Sequence, residues 1–100
     1  MNIQIQTPHL KYKEDLNDLI REKFERVFAP YSYVTNCRVF LKAEEQAIKN
    51  ACEIEAYVHL TNGELFASNK ADTFQEALPG LMDKLKRQLE KYKQKVYTNP

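Results

Sequence analysis

Six cations within a dozen residues, Lys84, Lys86, Arg87, Lys91, Lys93 and Lys95, are the side chains of this sequence with the clearest chemical purpose. Ammonium and guanidinium groups at this spacing neutralise phosphate. Lysines supply mobile point charges, and Arg87 can engage a phosphate with a two-pronged fork. At about 100° per residue, Lys84, Arg87, Lys91 and Lys95 form a stripe beside an apolar face made of Leu78, Leu81, Leu85, Leu89, Tyr92 and Val96. Lys86 and Lys93 fall on the opposite flank. A helix anchored by its apolar face, with cations on both sides of it, can follow a polyanion. Only Glu90 interrupts the run and only Asp83 adjoins it, whereas a stripe kept merely for solubility would mix the two signs.

Other chemistries find no support. The chain has two glycines, too few for a phosphate-cradling loop, and it has no Gly-x-Ser-x-Gly elbow. No Cys and His are placed to share a proton, so no enzyme is expected. Metal ligands would have to come from His9, His59, Cys37 and Cys52, and His59 has the strand parity opposite to the cysteines, so neither a metal nor a cofactor is expected. Cys37 and Cys52 lack a CxxC partner and read as reduced core residues. One sheet face would carry Arg38, Phe40, Lys42, Tyr57, His59 and Phe66, a set that reads first as cross-strand packing and second as a binding surface. Tyr31 and Tyr33 read as packing groups that close the end of the first helix.

The elements that must position the basic run follow from periodicity. Ile3 and Ile5 alternate with polar neighbours as a short strand that Pro8 ends. From about Lys13 to Phe28, Leu16, Leu19, Ile20, Phe24, Val27 and Phe28 recur at helical spacing, and Pro30 closes that helix. Cys37, Val39 and Leu41 define a second strand; Cys52, Ile54, Ala56, Val58 and Leu60 define a third. Asn62-Gly63 suits a two-residue type I′ turn, which would pair Leu60 with Leu65 and Val58 with Ala67. Thr73 and Glu76 are spaced as a capping box that opens the last helix, with Asp72 adding negative charge there. Pro79-Gly80 predicts a kink or a short separate first turn.

The order is β-α-β-β-β-α, an α+β fold with a four-stranded mixed sheet and two helices packed on one face. The first helix is expected to be a right-handed crossover between parallel strands one and two. One hundred residues, 43% of them hydrophobic and with no low-complexity run, suit a single domain over residues 1–100. The formal net charge is only +1, so the molecule is basic locally and not globally. The N-terminus has no secretory pattern and no stretch reaches the length of a membrane span, so a cytoplasmic protein with no membrane partner is expected.

The segment from Asn62 to Ser68, and above all Asp83-Lys84-Leu85-Lys86-Arg87-Gln88-Leu89-Glu90-Lys91-Tyr92-Lys93, resembles the ribosome hibernation promoting factor and ribosome-associated inhibitor A family, also called the sigma-54 modulation protein family. Its closing pattern of Asp-Lys-Leu-x-Arg-Gln-Leu-x-Lys-x-Lys is specific, and the opening Met-Asn-Ile-Gln-Ile fits too. The resemblance implies a translation regulator that binds the small ribosomal subunit and the 70S ribosome through 16S ribosomal RNA. It would lie in the groove used by messenger RNA and by transfer RNA at the A and P sites, keeping ribosomes idle and intact in the stress of starvation or stationary phase. Lys84, Arg87, Lys91 and Lys93 stand at the family's basic positions and inherit ribosomal-RNA contacts; Lys86 and Lys95 join them from helical geometry. Pro79 departs from the family, which more often has aspartate there.

The sequence stops at Pro100, without the second domain of long members or an acidic tail, so the short type is expected, acting as a monomer that does not pair ribosomes by itself. The alternatives are a double-stranded RNA-binding-like module and a protein-interaction domain that does not act on the ribosome. The first places its lysines at the start of the final helix, where this chain has Asp72, Gln75 and Glu76. No small-molecule substrate is implied by any of these readings.

Overall fold

A computed structural model describes residues 2–7 and 14–98, and of residues 14 and 94–98 the backbone alone. The expectations placed on Pro8, His9 and Lys13, and on the side chains of Lys95 and Val96, lie outside the described residues. The elements run β1 (Asn2–Gln6), α1 (Glu14–Phe28), β2 (Val34–Ala43), β3 (Cys52–Leu60), β4 (Gly63–Ala71) and α2 (Phe74–Thr98). They form one sheet in the order β1-β2-β3-β4, with β1 parallel to β2 and the other pairs antiparallel. The expected β-α-β-β-β-α order and mixed sheet are present.

Alternation along the strands decides which face is buried. Cys37, Val39 and Leu41 on β2, Ile54, Ala56 and Val58 on β3, and Ala67 on β4 turn inward to meet Ile20, Phe24 and Phe28 of α1 and Leu81, Leu85 and Leu89 of α2. No polar or charged residue is buried among the described residues, so burial of apolar area is the main stabilising term. Truncating a fully enclosed leucine such as Leu85 to alanine should cost about 2–5 kcal/mol. Cys37 is fully enclosed, while Cys52 is only half-buried at the sheet margin, where its thiol lies 3.5 Å from the Asp72 carbonyl. Cys52 is therefore not the core residue its parity suggested.

Three local features differ from the sequence expectation. β2 starts at Val34, before the first alternating cysteine, because a bulge between Val34 and Asn36 adds one residue and lets Val34 share the buried face with Cys37. The β3–β4 turn is Thr61-Asn62, and Gly63 is already paired with Leu60. Val58 therefore pairs with Leu65 and Ala56 with Ala67. The shift is even, so every side chain keeps its face, and the hydrophobic pattern alone could not discriminate between the two registers. Asn50, at φ 55°, is the one described residue with positive φ, so this turn is not type I′. Gly63 serves a close approach instead: a Cβ there would lie 3.3 Å from Cε2 of Tyr92.

The third difference is α2 itself, a single helix that passes through Pro79 without a separate first turn. Its start is capped as expected, the Glu76 amide donating to Thr73 Oγ1 at 3.1 Å. Pro79 removes the amide that would have bonded the Gln75 carbonyl. Both residues are exposed, so water can take the missing donor's place. Gly80 gives Asn69 room: a Cβ there would stand 2.4 Å from Asn69 Nδ2, which donates to the Ala77 carbonyl at 3.0 Å.

Candidate nucleic-acid interface

The basic run sits on the exposed side of α2, whose apolar side is held by the sheet and by the tyrosines after α1. Leu78, Leu81, Leu85 and Leu89 are buried. The Tyr33 hydroxyl donates to the Leu89 carbonyl at 2.6 Å, and the Tyr33 and Tyr92 rings lie 4.9 Å apart. Tyr31 and Tyr33 thus pack as expected and lock the middle of α2 in rotation, which fixes the direction in which each cation points.

Lys84, Lys86, Arg87, Lys91 and Lys93 are all exposed. They divide into one engaged residue and four unengaged ones. Lys84 reaches back to β4, where Nζ donates to the Ser68 carbonyl at 2.7 Å and to Asn69 Oδ1 at 3.2 Å. One turn further on, Gln88 Nε2 donates to the Phe66 carbonyl at 2.9 Å. β4 is an edge strand, so its outward carbonyls would otherwise be a template for another chain. The other edge is treated alike, since Arg21 of α1 donates to the Ile3 carbonyl of β1. Lys86, Arg87, Lys91 and Lys93 make no hydrogen bond or ion pair among the described residues. Arg87 and Lys91 are one turn apart, about 6 Å along the axis, a spacing that suits successive contacts on a phosphate chain.

Across the opposite flank, Lys86 shares a depression of about 370 Å³ with Lys23 and Arg26 of α1, floored by Val27, Pro30, Tyr31 and Met82. These α1 cations are hidden in the sequence because that helix mixes acids and bases at similar density. Arg26 is tied to Glu22 at 2.9 Å; Lys23 forms no ion pair among the described residues. Glu90, the one acid within the basic run, is removed from competition with phosphate by accepting the Tyr31 hydroxyl at 2.8 Å. Burial, and then the hydrogen bond to Glu90 and its charge, push the Tyr31 phenol above its ordinary pKa, so it stays a neutral donor.

Nothing in this arrangement favours nucleophilic chemistry. Burial pushes the Cys37 thiol up to about 12, and burial and then Asp72 raise Cys52, so neither is a thiolate at neutral pH. Among the described residues no group of three His, Cys, Asp or Glu is placed to hold a metal ion. No described helix is long and apolar enough to cross a membrane. The arrangement offers a rigid cationic rod beside a second, smaller cationic rim, which can bind an extended polyanion.

Comparison with known proteins identifies relatives along almost the whole chain. Residues 3–97 match the family described as Sigma 54 modulation protein / S30EA ribosomal protein. The chain is 33% identical over 95 residues to a ribosome hibernation promoting factor of Pseudomonas putida, covering 95% of this chain and 89% of that one. It is 29% identical over 96 residues to a ribosome hibernation promoting factor of Escherichia coli strain K12, covering 96% and 97%. Among solved structures, a ribosomal subunit interface protein from Coxiella burnetii superposes with a TM-score of 0.82 at 25% identity, covering 93% of this chain and 98% of that one. The N-terminal domain of Protein Y from Thermus thermophilus shares the fold, with a TM-score of 0.76 at 20% identity over 92% of this chain and 99% of that one.

Proposed function

The chain belongs to the Sigma 54 modulation protein / S30EA ribosomal protein family, and from that premise we propose that it is a ribosome-binding hibernation factor. Residues 1–100 act as one ribosome-binding domain in the cytoplasm. The protein occupies the messenger- and transfer-RNA groove of the small subunit, across the A and P sites, and holds idle 70S ribosomes intact. Its action is non-enzymatic: one monomer blocks one small subunit by occupation. The observation that carries this reading is a set of cations, Arg87 and Lys91 on one flank and Lys86 and Lys93 on the other, left unpaired on a helix whose rotation is locked by its buried side. Phosphates of 16S ribosomal RNA are the polyanion, with Lys86 on the second flank and Lys84 and Lys95 at the two ends of the run.

Sedimentation of the protein with purified subunits and 70S ribosomes through sucrose gradients tests it. Binding to the small subunit and to 70S particles is expected at low salt. It should weaken steeply as salt rises, because each neutralised phosphate releases counterions. Translation in a cell-free system should stop only as protein approaches the ribosome concentration. A protein that stays at the top of the gradient at low salt, or that inhibits at a small fraction of the ribosome concentration, would overturn the reading.

A further inference from the structure

The sheet face turned away from both helices carries a feature that the α2 interface does not use. Tyr57 of β3 is paired in register with Arg38 of β2 and with Phe66 of β4. The Tyr57 and Phe66 rings lie 4.8 Å apart, Phe40 meets Tyr57 edge-on at 5.6 Å, and the Arg38 guanidinium carbon is 5.9 Å from the centre of the Tyr57 ring. Rings in such rows ordinarily stabilise a sheet by covering one another. These do not complete the covering, for Tyr57 remains 37% and Phe66 46% exposed.

The surroundings of the open rings are selective. A depression of about 280 Å³ lies against Tyr57 and Phe66, bordered by Arg38, His59 and Glu64. A second, of about 220 Å³, continues past Arg38 and His59 to the amide side chains of Asn2, Gln4 and Asn36. The one carboxylate on either border, that of Glu64, stands 3.3 Å from His59 Nδ1. Arg38 lies over the Tyr57 ring and has no carboxylate partner among the described residues, so the trough has an aromatic floor at one end, a cation free of carboxylates at its centre and neutral amides at the other end.

We propose that this face is a stacking platform for single-stranded RNA, a second nucleic-acid surface that goes beyond the α2 interface. A base stacks on the exposed part of the Tyr57 and Phe66 rings, the adjoining phosphate meets Arg38, and the edge of the neighbouring base meets the amides of Asn36, Asn2 and Gln4. The charge of Arg38 matches a phosphate, and the flat π surface matches an unstacked base. A duplex does not fit, because its bases are stacked inside and present no face to a flat sheet.

The test uses the full chain carrying Arg87→Gln and Lys91→Gln, so that α2 does not hold RNA by charge, and labelled RNA hexamers, rA6 and rU6, with an RNA duplex as control, read by fluorescence anisotropy. Both hexamers should bind, and the duplex at least tenfold more weakly. Tyr57→Leu with Phe66→Leu keeps apolar cross-strand packing but removes the π faces; hexamer affinity should fall about 10- to 100-fold. Arg38→Gln should weaken binding and lower the salt slope by about one. Because the chain contains no tryptophan, Phe66→Trp places a single reporter on the platform without removing a stacking surface. Hexamer should quench its fluorescence while affinity is retained. In that α2-neutralised background, absence of hexamer binding, duplex binding as tight as single-strand binding, undiminished binding by a folded double-leucine variant, or an unquenched indole in the bound state would each overturn the proposal. The tryptophan variant decides the matter if the double-leucine variant fails to fold.

Discussion

The two flanks of α2 carry similar residues and use them differently. On the β4 side a cation does structural work, Lys84 together with Gln88 satisfying carbonyls of an edge strand. On the α1 side the structural tie is an acid, Glu90 held by Tyr31, and the cations Lys86 and Lys93 make no ion pair among the described residues. Availability for phosphate is therefore set by what lies beside each residue, and not by its charge. A lysine next to unpaired carbonyls is drawn to them, since an ammonium group donates to a carbonyl oxygen as it does to the stronger, anionic phosphate oxygen.

The largest effect expected from this contrast is on ribosome binding. Arg87→Glu with Lys91→Glu should weaken binding to the small subunit by about 100-fold or more, since each loses a charge-assisted hydrogen bond and gains repulsion. The salt dependence should become shallower and the thermal unfolding midpoint should stay unchanged. Lys23→Glu with Lys86→Glu on the other flank should cost about tenfold, as one lysine on each helix borders the groove. Equal losses from the two pairs in a filter-binding titration would mean that the polyanion lies astride both flanks, and no loss from the first pair would remove α2 as the interface.

A smaller effect separates Lys84 from its neighbours. Lys84→Met leaves Ser68 and Asn69 to water and should lower stability by about 1 kcal/mol, whereas Arg87→Met should fall within about 0.5 kcal/mol of the parent. Urea unfolding with an unchanged denaturant slope measures both. Identical midpoints would show that the Lys84 tether contributes nothing to the fold. Charge reversal at Lys84 would mix folding and binding, because it sets a carboxylate against two acceptor oxygens.

The smallest effect is a pH dependence on the α1 side. The Tyr31 phenol is raised in the folded protein by burial and by Glu90. Its contribution is full below the unfolded pKa of about 10 and is lost as pH rises through the higher folded value. Between about pH 9 and pH 11 the parent should lose melting temperature more steeply than Tyr31→Phe. Parallel curves would mean that the Tyr31–Glu90 tie adds no stability of its own.

Much of the molecule is legible in its sequence. The alternation Cys37-Val39-Leu41 and Ile54-Ala56-Val58 specified the buried sheet face, Thr73 with Glu76 located the start of α2, and the spacing of Leu81, Leu85 and Leu89 oriented the basic residues outward. These signals are local, and each residue's neighbours along the chain suffice to produce them. The register that Asn62-Gly63 predicts for β3–β4 is two residues off, because parity survives an even slip. The start of β2 is hidden in the sequence because its bulge breaks the period that reveals a strand.

Sequence by itself determined the fold order, the apolar seam of α2 and the concentration of cations along it, because periodicity and capping act over a few residues. Tertiary structure alone decided which cations remain available. Lys84 is held by carbonyls 15 and 16 positions earlier in the chain, Glu90 by a hydroxyl 59 positions earlier, and Lys23 meets Lys86 only where two helices converge. A hydrogen bond requires its partners within about 3 Å, and for residues so far apart in sequence that proximity exists only once the sheet and both helices have closed around one core.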